Sequence, residues 1–284
     1  MIYVSTGGNS NQTAIETAHD YARFGIKNIE LSGGAYDNEI IKNVEALIKN
    51  TDVQLHNYFP PPKEPFVINL ASSNPHIVER TKKHIQFSID LSAKINTRLY
   101  SFHAGFLLDP SVDDLGRQIN KKPLMDRKKA LDNFVKNVND LAIYADSLGV
   151  SLLIENNVLS YENRERFKGN PLLMTDSKEC EFVMQETGSN VSLLIDIAHL
   201  KVSANSLNFN AIKFLESLDP WIKAYHFSDN DGLSDSNNPI YKDSWFWPYI
   251  RSNVDYYSIE TYGKSPEFLN RQVELVKTML KISN

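Results

Sequence analysis

Ser192-Leu-Leu-Ile-Asp-Ile-Ala-His199 ends an apolar run on a carboxylate and places an imidazole three residues further on. Ser192 to Ile195 is short and filled by leucine and isoleucine, the pattern of a strand buried on both faces. Asp196 has two readings. It is the N-cap of whatever helix follows, or it stands where α/β folds keep their chemistry, at a strand end. Repetition weighs on the choice. Leu152-Leu-Ile-Glu155, Lys223-Ala-Tyr-His226 and Tyr257-Ser-Ile-Glu260 share the form of an apolar strand closed by one ligand-type residue.

Outward from that stretch the chain alternates. Strands are predicted at Ile2–Ser5, Asn28–Leu31, Val53–Leu55, Arg98–Phe102, Val150–Ile154, Ser192–Ile195, Ile222–Phe227 and Tyr256–Ile259. Between them lie helical patterns. Thr13-Ala-Ile-Glu16 has the form of a capping box, and Asp126 opens the clearest helix, whose apolar face runs Ala130, Leu131, Phe134, Val138, Leu141, Ala142 and Ala145 before Gly149 stops it. Ser73 with Pro75, Asp176 with Glu179, and Ser265-Pro266 open others. Loops at 57–72, 104–125, 157–175 and 229–250 are long. Such alternation implies parallel strands joined by right-handed crossovers. Eight units in 284 residues favour a (β/α)8 TIM barrel, in which about 250 residues is usual, with residues 1–284 as a single domain carrying long βα loops. An open doubly wound sheet is the fold alternative. Gly7-Gly8 lacks the G-x-G-x-x-G spacing of a dinucleotide site, so no nucleotide cofactor is expected.

Composition sets outer bounds. Hydrophobic residues at 42% and charged residues at 23% suit a globular core. A net charge of −5 with no basic stretch argues against nucleic acid as a partner. The single cysteine, Cys180, excludes an intrachain disulfide and reads as a small buried hydrophobe. Neither a signal peptide nor a membrane-spanning apolar run is evident, and a cytoplasmic location is expected.

In a barrel, all strand C-termini face one rim. The polar residues at these ends are His56, His103, Glu155, Asp196, His226 and Glu260, with His199 just beyond strand six. Four of the seven histidines fall in this set; His19, His76 and His84 lie in helical patterns and read as surface residues. So many titratable groups facing one cavity repel one another and resist desolvation. A divalent cation resolves both, so Glu155, Asp196, His226 and Glu260 read as a metal site. Three carboxylates and one nitrogen suit Mn²⁺, Mg²⁺ or Co²⁺, and each further histidine recruited tilts the choice towards Zn²⁺.

These residues carry a resemblance. The motifs Leu-Ile-Glu155-Asn, Ile-Asp196-Ile-Ala-His199, His226-Phe-Ser-Asp229-Asn-Asp231-Gly232 and Ile-Glu260 are similar to the strand-five to strand-eight motifs of the xylose isomerase-like barrel superfamily, which holds sugar and sugar-phosphate isomerases and epimerases together with the endonuclease IV group. The resemblance implies that Glu155, Asp196, His226 and Glu260 bind one divalent metal, that Glu155 and Glu260 are also acid and base, and that His199 contacts substrate hydroxyls. It leaves His56, His103, His199, Asp229 and Asp231 as residues for substrate or a second metal. Tyr58, Trp245 and Trp247 are candidates for an aromatic wall over the substrate, and Lys201, Lys264 and Arg117 for an anionic substrate group.

The expected activity is a divalent-metal-dependent sugar isomerase or epimerase, moving a proton through a metal-stabilised enediolate. The substrate would be a small-molecule sugar or sugar phosphate, with homo-oligomerisation left open. The alternatives are, in order, a metal-dependent dehydratase of a cyclitol or keto-sugar, an endonuclease IV-like phosphodiesterase, and a sugar-binding barrel without turnover. The nuclease pattern ends on a histidine where this chain has Asn237. The arginine that 3-epimerases of free ketoses carry after the strand-seven histidine is replaced by Gly232.

Overall fold

A computed structural model describes residues 1–9 and 11–282. Eight parallel strands close into a barrel in sequence order: β1 (Ile2–Ser5), β2 (Asn28–Ser32), β3 (Asp52–His56), β4 (Leu99–His103), β5 (Ser151–Glu155), β6 (Val191–Asp196), β7 (Ile222–Phe227) and β8 (Tyr256–Ile259). The TIM barrel predicted from the alternation is thus the fold, and the open sheet is excluded because β8 pairs with β1.

Nine α-helices surround it among the described residues: α1 (Ala14–Arg23), α2 (Ile40–Leu47), α3 (Pro75–Lys94), α4 (Arg127–Ser147), α5 (Tyr161–Phe167), α6 (Ser177–Glu186), α7 (Ile197–Leu207), α8 (Ala211–Leu218) and α9 (Pro266–Leu280). Thr13 and Glu16 form the capping box reciprocally, and Asp126 and Asp176 accept from the backbone N–H three residues on. At α3 the cap is Asn74 rather than Ser73. Two helices exceed the sequence reading. α5 lies in the segment 157–175 taken as loop, and α7 follows β6 with no intervening loop. A mostly buried helix such as α7 shows no amphipathic stripe to read.

Side chains alternate across each strand. Outward positions such as Leu152, Ile154, Leu193, Ile195, Tyr225, Phe227, Tyr257 and Ile259 join the main core against the helices. Inward positions form a separate apolar plug of Tyr3, Leu153, Leu194, Ala224 and Tyr256. Two residues further along each strand the same inward direction is taken by Glu155, Asp196, His226 and Ser258. The period of two therefore stacks the polar group directly on the plug, at the C-terminal mouth. Strand register adds to this, pairing His103 with Glu155 and Asp196 with His226.

The long loops are tied down by side chains. Asn69 links two of them: its Nδ2 donates to Phe106 O, Leu108 O and Asp109 Oδ1, and its Oδ1 accepts from Ala71 N and Phe106 N. Arg127 grips both oxygens of Glu179 at 2.8 and 2.9 Å and donates to the carbonyls of Asn170 and Leu172. Cys180 is fully buried, as expected of a small hydrophobe.

Candidate metal centre

Asp196 satisfies both of its sequence readings at once. Its Oδ1 accepts from His199 N at 2.7 Å and so caps α7, while its Oδ2 is buried with no hydrogen-bond partner. Glu155 has neither oxygen hydrogen-bonded, and His226 Nδ1 is likewise without a hydrogen bond. Buried polar atoms nearly always find partners, so four such atoms at one place mark the mouth as built for something the chain itself does not supply.

The atoms converge. Glu155, Asp196, His226 and Glu260 each bring one ligand-type atom to within 4.8 Å of the others. His226 Nδ1 lies 3.4 Å from Glu260 Oε2 and 3.8 Å from Glu155 Oε1. A second group shares Glu155: its Oε2 is 3.3 Å from His56 Nε2 and 3.6 Å from His103 Nε2. His199 stands at the edge, with Nδ1 3.2 Å from Glu155 Oε1 and Nε2 3.1 Å from Asp235 Oδ2. His103, whose side chain is 31% exposed, opens the cluster towards solvent, while Glu155 is fully buried.

The electrostatics state what is missing. Burial alone would raise the Glu155 carboxyl, but His103, His226, His199 and His56 hold it well below the usual carboxylate range. Burial likewise opposes ionisation of Glu260, and the adjacent His226 overrides it, bringing that group to about 2. Asp196 goes the other way: burial raises it to about 7, helped by Asp235, Glu155 and Glu260. Burial pulls His199 and His226 down, yet the surrounding acids push both well above an ordinary imidazole. The acids thus draw positive charge onto His199 and His226, whereas burial lowers His103 to about 4. A divalent cation supplies the same charge and fills the vacant lone pairs, so this donor set fits one.

The remaining expectations divide. Asp229 does not reach the cluster; its carboxylate is held by Lys201 Nζ at 2.7 Å, Ser244 Oγ at 3.1 Å and Asn230 N at 2.8 Å. Asp231 is exposed and accepts from Leu233 N and Ser234 N in a turn. Lys201, committed to Asp229 and Asn230 O, is not a free anion receptor. Trp247 packs on Phe227 and Phe246, outside the barrel wall, and donates to Tyr241 O; it lines no mouth. Trp245 stands edge-on to Phe246 and borders a side cavity of about 620 Å³ with Asn205 and Phe209. The Tyr58 hydroxyl accepts from Ile68 N and its ring faces His84. Tyr58 and Trp247 therefore pack within the β3 and β7 loops, whereas Trp245 borders the side cavity with its Nε1 buried and without a hydrogen-bond partner. His84, read as a surface residue, is buried, with Nε2 3.3 Å from Asn57 O. His19 and His76 are exposed as expected.

Two residues at the mouth, Glu30 and Tyr262, escaped the sequence reading. Glu30, inside β2, contacts His226 Nε2 at 3.1 Å. Its signal was a charge set between the apolar residues Ile29 and Leu31. Tyr262 covers Gly7 and Gly8 so closely that a Cβ on either glycine would clash with its ring. That close approach explains the glycine pair. Asp235, the aspartate of the nuclease-type Asp-x-His pattern whose last position is Asn237 here, was grouped with His199 by that resemblance, and it contacts His199 Nε2 at 3.1 Å.

A family model described as xylose isomerase-like TIM barrel matches residues 18–270, and the chain belongs to that family. It is 24% identical over 223 residues to uncharacterized protein MJ1188 of Methanocaldococcus jannaschii, covering 78% of this chain and 69% of that one. Among solved structures it is similar to a D-tagatose 3-epimerase-like protein, at 18% identity and a TM-score of 0.71, over 99% of this chain and 97% of the other. It is also similar to 3-keto-D-glucoside 4-epimerase from E. coli, at 11% identity and a TM-score of 0.67, over 98% of both chains. No helix among the described residues is long and apolar enough to cross a membrane.

Proposed function

We propose that this protein is a divalent-metal-dependent isomerase or epimerase acting on a sugar or sugar derivative, with Glu155, Asp196, His226 and Glu260 as ligands and Glu155 and Glu260 as the proton-transfer pair. The observation that carries this reading is the convergence of buried, unpartnered ligand atoms at the barrel mouth. The similarity to sugar epimerases supports the substrate class.

When bound there, a divalent cation would stabilise the negative charge that develops on neighbouring substrate oxygens. The chain supplies the rest. One glutamate takes the proton from the carbon beside the carbonyl, and the other returns a proton to that carbon or its neighbour. Histidines around Glu155 keep its carboxylate ionised and able to accept. His199 has both ring nitrogens engaged, by Asn156 O and Asp235, so a substrate hydroxyl would meet it by displacing Asp235 from Nε2. The barrel plug below blocks access from the far side, so substrate enters from the His103 side.

The His56–His103–Glu155 group supports a second reading, in which a second cation makes the chain a phosphodiesterase. Asn237, where that reading needs a histidine, counts against it.

The test is solvent exchange. Protein stripped of metal and reloaded with Mn²⁺ or Zn²⁺ is incubated with ketoses and their phosphates in deuterated water. Deuterium is expected on the carbon beside the carbonyl, without loss of water, and chelation abolishes it. Release of water instead indicates the dehydratase, and an absence of exchange across the panel overturns the proposal.

A further inference from the structure

Glu30 sits in the middle of β2, pointing into the barrel and fully buried. Its Oε1 accepts from Ser258 Oγ at 2.8 Å, and its Oε2 lies 3.1 Å from His226 Nε2. Both oxygens are therefore occupied, unlike those of Glu155. His226 separates Glu30 from the cluster: one ring nitrogen faces Glu30, and the other, Nδ1, faces Glu260 and Glu155.

A neutral imidazole has one N–H and one lone pair, and two tautomers compete for them. An ionised carboxylate has no hydrogen to give, so it selects the tautomer with hydrogen on Nε2. That leaves the lone pair on Nδ1, the nitrogen directed at the cluster. Polarising the Nε2–H bond also makes Nδ1 a better donor.

We propose that Glu30 is a positioning residue for the cation centre, fixing the His226 tautomer and ring orientation that make Nδ1 a metal ligand. Ser258 holds Glu30 in turn, so the relay runs Ser258–Glu30–His226. This rests on the metal-binding reading of the mouth but assigns a role to a residue outside the four ligands.

The experiment measures Mn²⁺ affinity by competition against a fluorescent chelator for wild type, Glu30→Gln and Ser258→Ala. The Glu30→Gln variant keeps the shape and an acceptor oxygen while removing the charge. It is expected to weaken Mn²⁺ binding about 10–100-fold, measured on metal-free protein whose cooperative melting transition shows that it is folded. Ser258→Ala is expected to weaken binding by a smaller factor, and it decides the matter should Glu30→Gln fail to fold. Undiminished Mn²⁺ affinity in both variants, with wild type binding, overturns this role alone. Wild type that binds no Mn²⁺ overturns it together with the metal reading of the mouth.

Discussion

Glu155, Asp196 and Glu260 at the strand ends and Asp114, Asp229 and Asp231 in the loops are the same kind of group, yet they differ in what fills their oxygens. Asp114 accepts from Ser111 N, Ser111 Oγ, Asn120 N and Asn120 Nδ2. Asp229 is filled by Lys201, Ser244 and Asn230, and Asp231 by two turn amides. Glu155 has no hydrogen bond at all, and Asp196 is half filled. The loop acids hold the chain to itself, whereas Glu155 and Asp196 hold lone pairs open. Because an unfilled buried acceptor costs about 1–3 kcal/mol, the second arrangement persists only where another group completes it.

Histidines divide the same way. His84 is buried outside the mouth, against Tyr58 and Phe66, and its Nε2 meets its own chain at Asn57 O. The mouth histidines are instead set among carboxylates.

The largest effect expected from this contrast is on turnover. Glu260→Gln should reduce solvent-deuterium exchange by about 10²–10⁴-fold without lowering the melting temperature. Retained exchange would remove Glu260 from the proton-transfer pair. The pH dependence of stability comes next. Burial, with Arg80 nearby, lowers His84 from 6.5 to about 4. Below pH 6.5 the unfolded chain takes up a proton that the folded chain refuses, so this stabilisation is complete above pH 6.5 and is lost as the pH falls towards 4. Wild type should lose about 3 kcal/mol more than His84→Gln between pH 7 and pH 4, measured by urea unfolding at each pH. Parallel profiles would show that His84 titrates normally. The smallest effects belong to the loop acids. Asp229→Asn should cost about 2 kcal/mol in urea unfolding, with exchange within about twofold of wild type by the same criterion. Asp231→Asn, on an exposed turn, should change neither reading. A large loss of exchange in either variant would erase the distinction between the two groups of acids.

Much of the mouth was legible in the linear order. Glu155, Asp196, His226 and Glu260 each follow an apolar strand, and a parallel barrel brings all its strand ends to one rim. Glu30 was harder to see because it lies within β2 rather than at its end, and its partners are 196 and 228 positions away. Asp229 and Asp231 share a motif with His226, yet a motif does not record which oxygens are already taken. Lys201, 28 residues back, claims Asp229. Tyr58 and Trp247 had the chemistry of a substrate wall, but their side chains went into loop packing, since large aromatic surface is most stable out of water.

The sequence by itself determined the alternation of strand and helix, the caps that start α1, α4 and α6, and the inward phase of the polar strand ends. All of these follow from local periodicity and local hydrogen bonding, which neighbouring residues decide. Only the tertiary structure decided which buried polar atoms are answered and which are left open. That depends on partners brought together by barrel closure, and no local pattern encodes the distance between atoms so far apart along the chain.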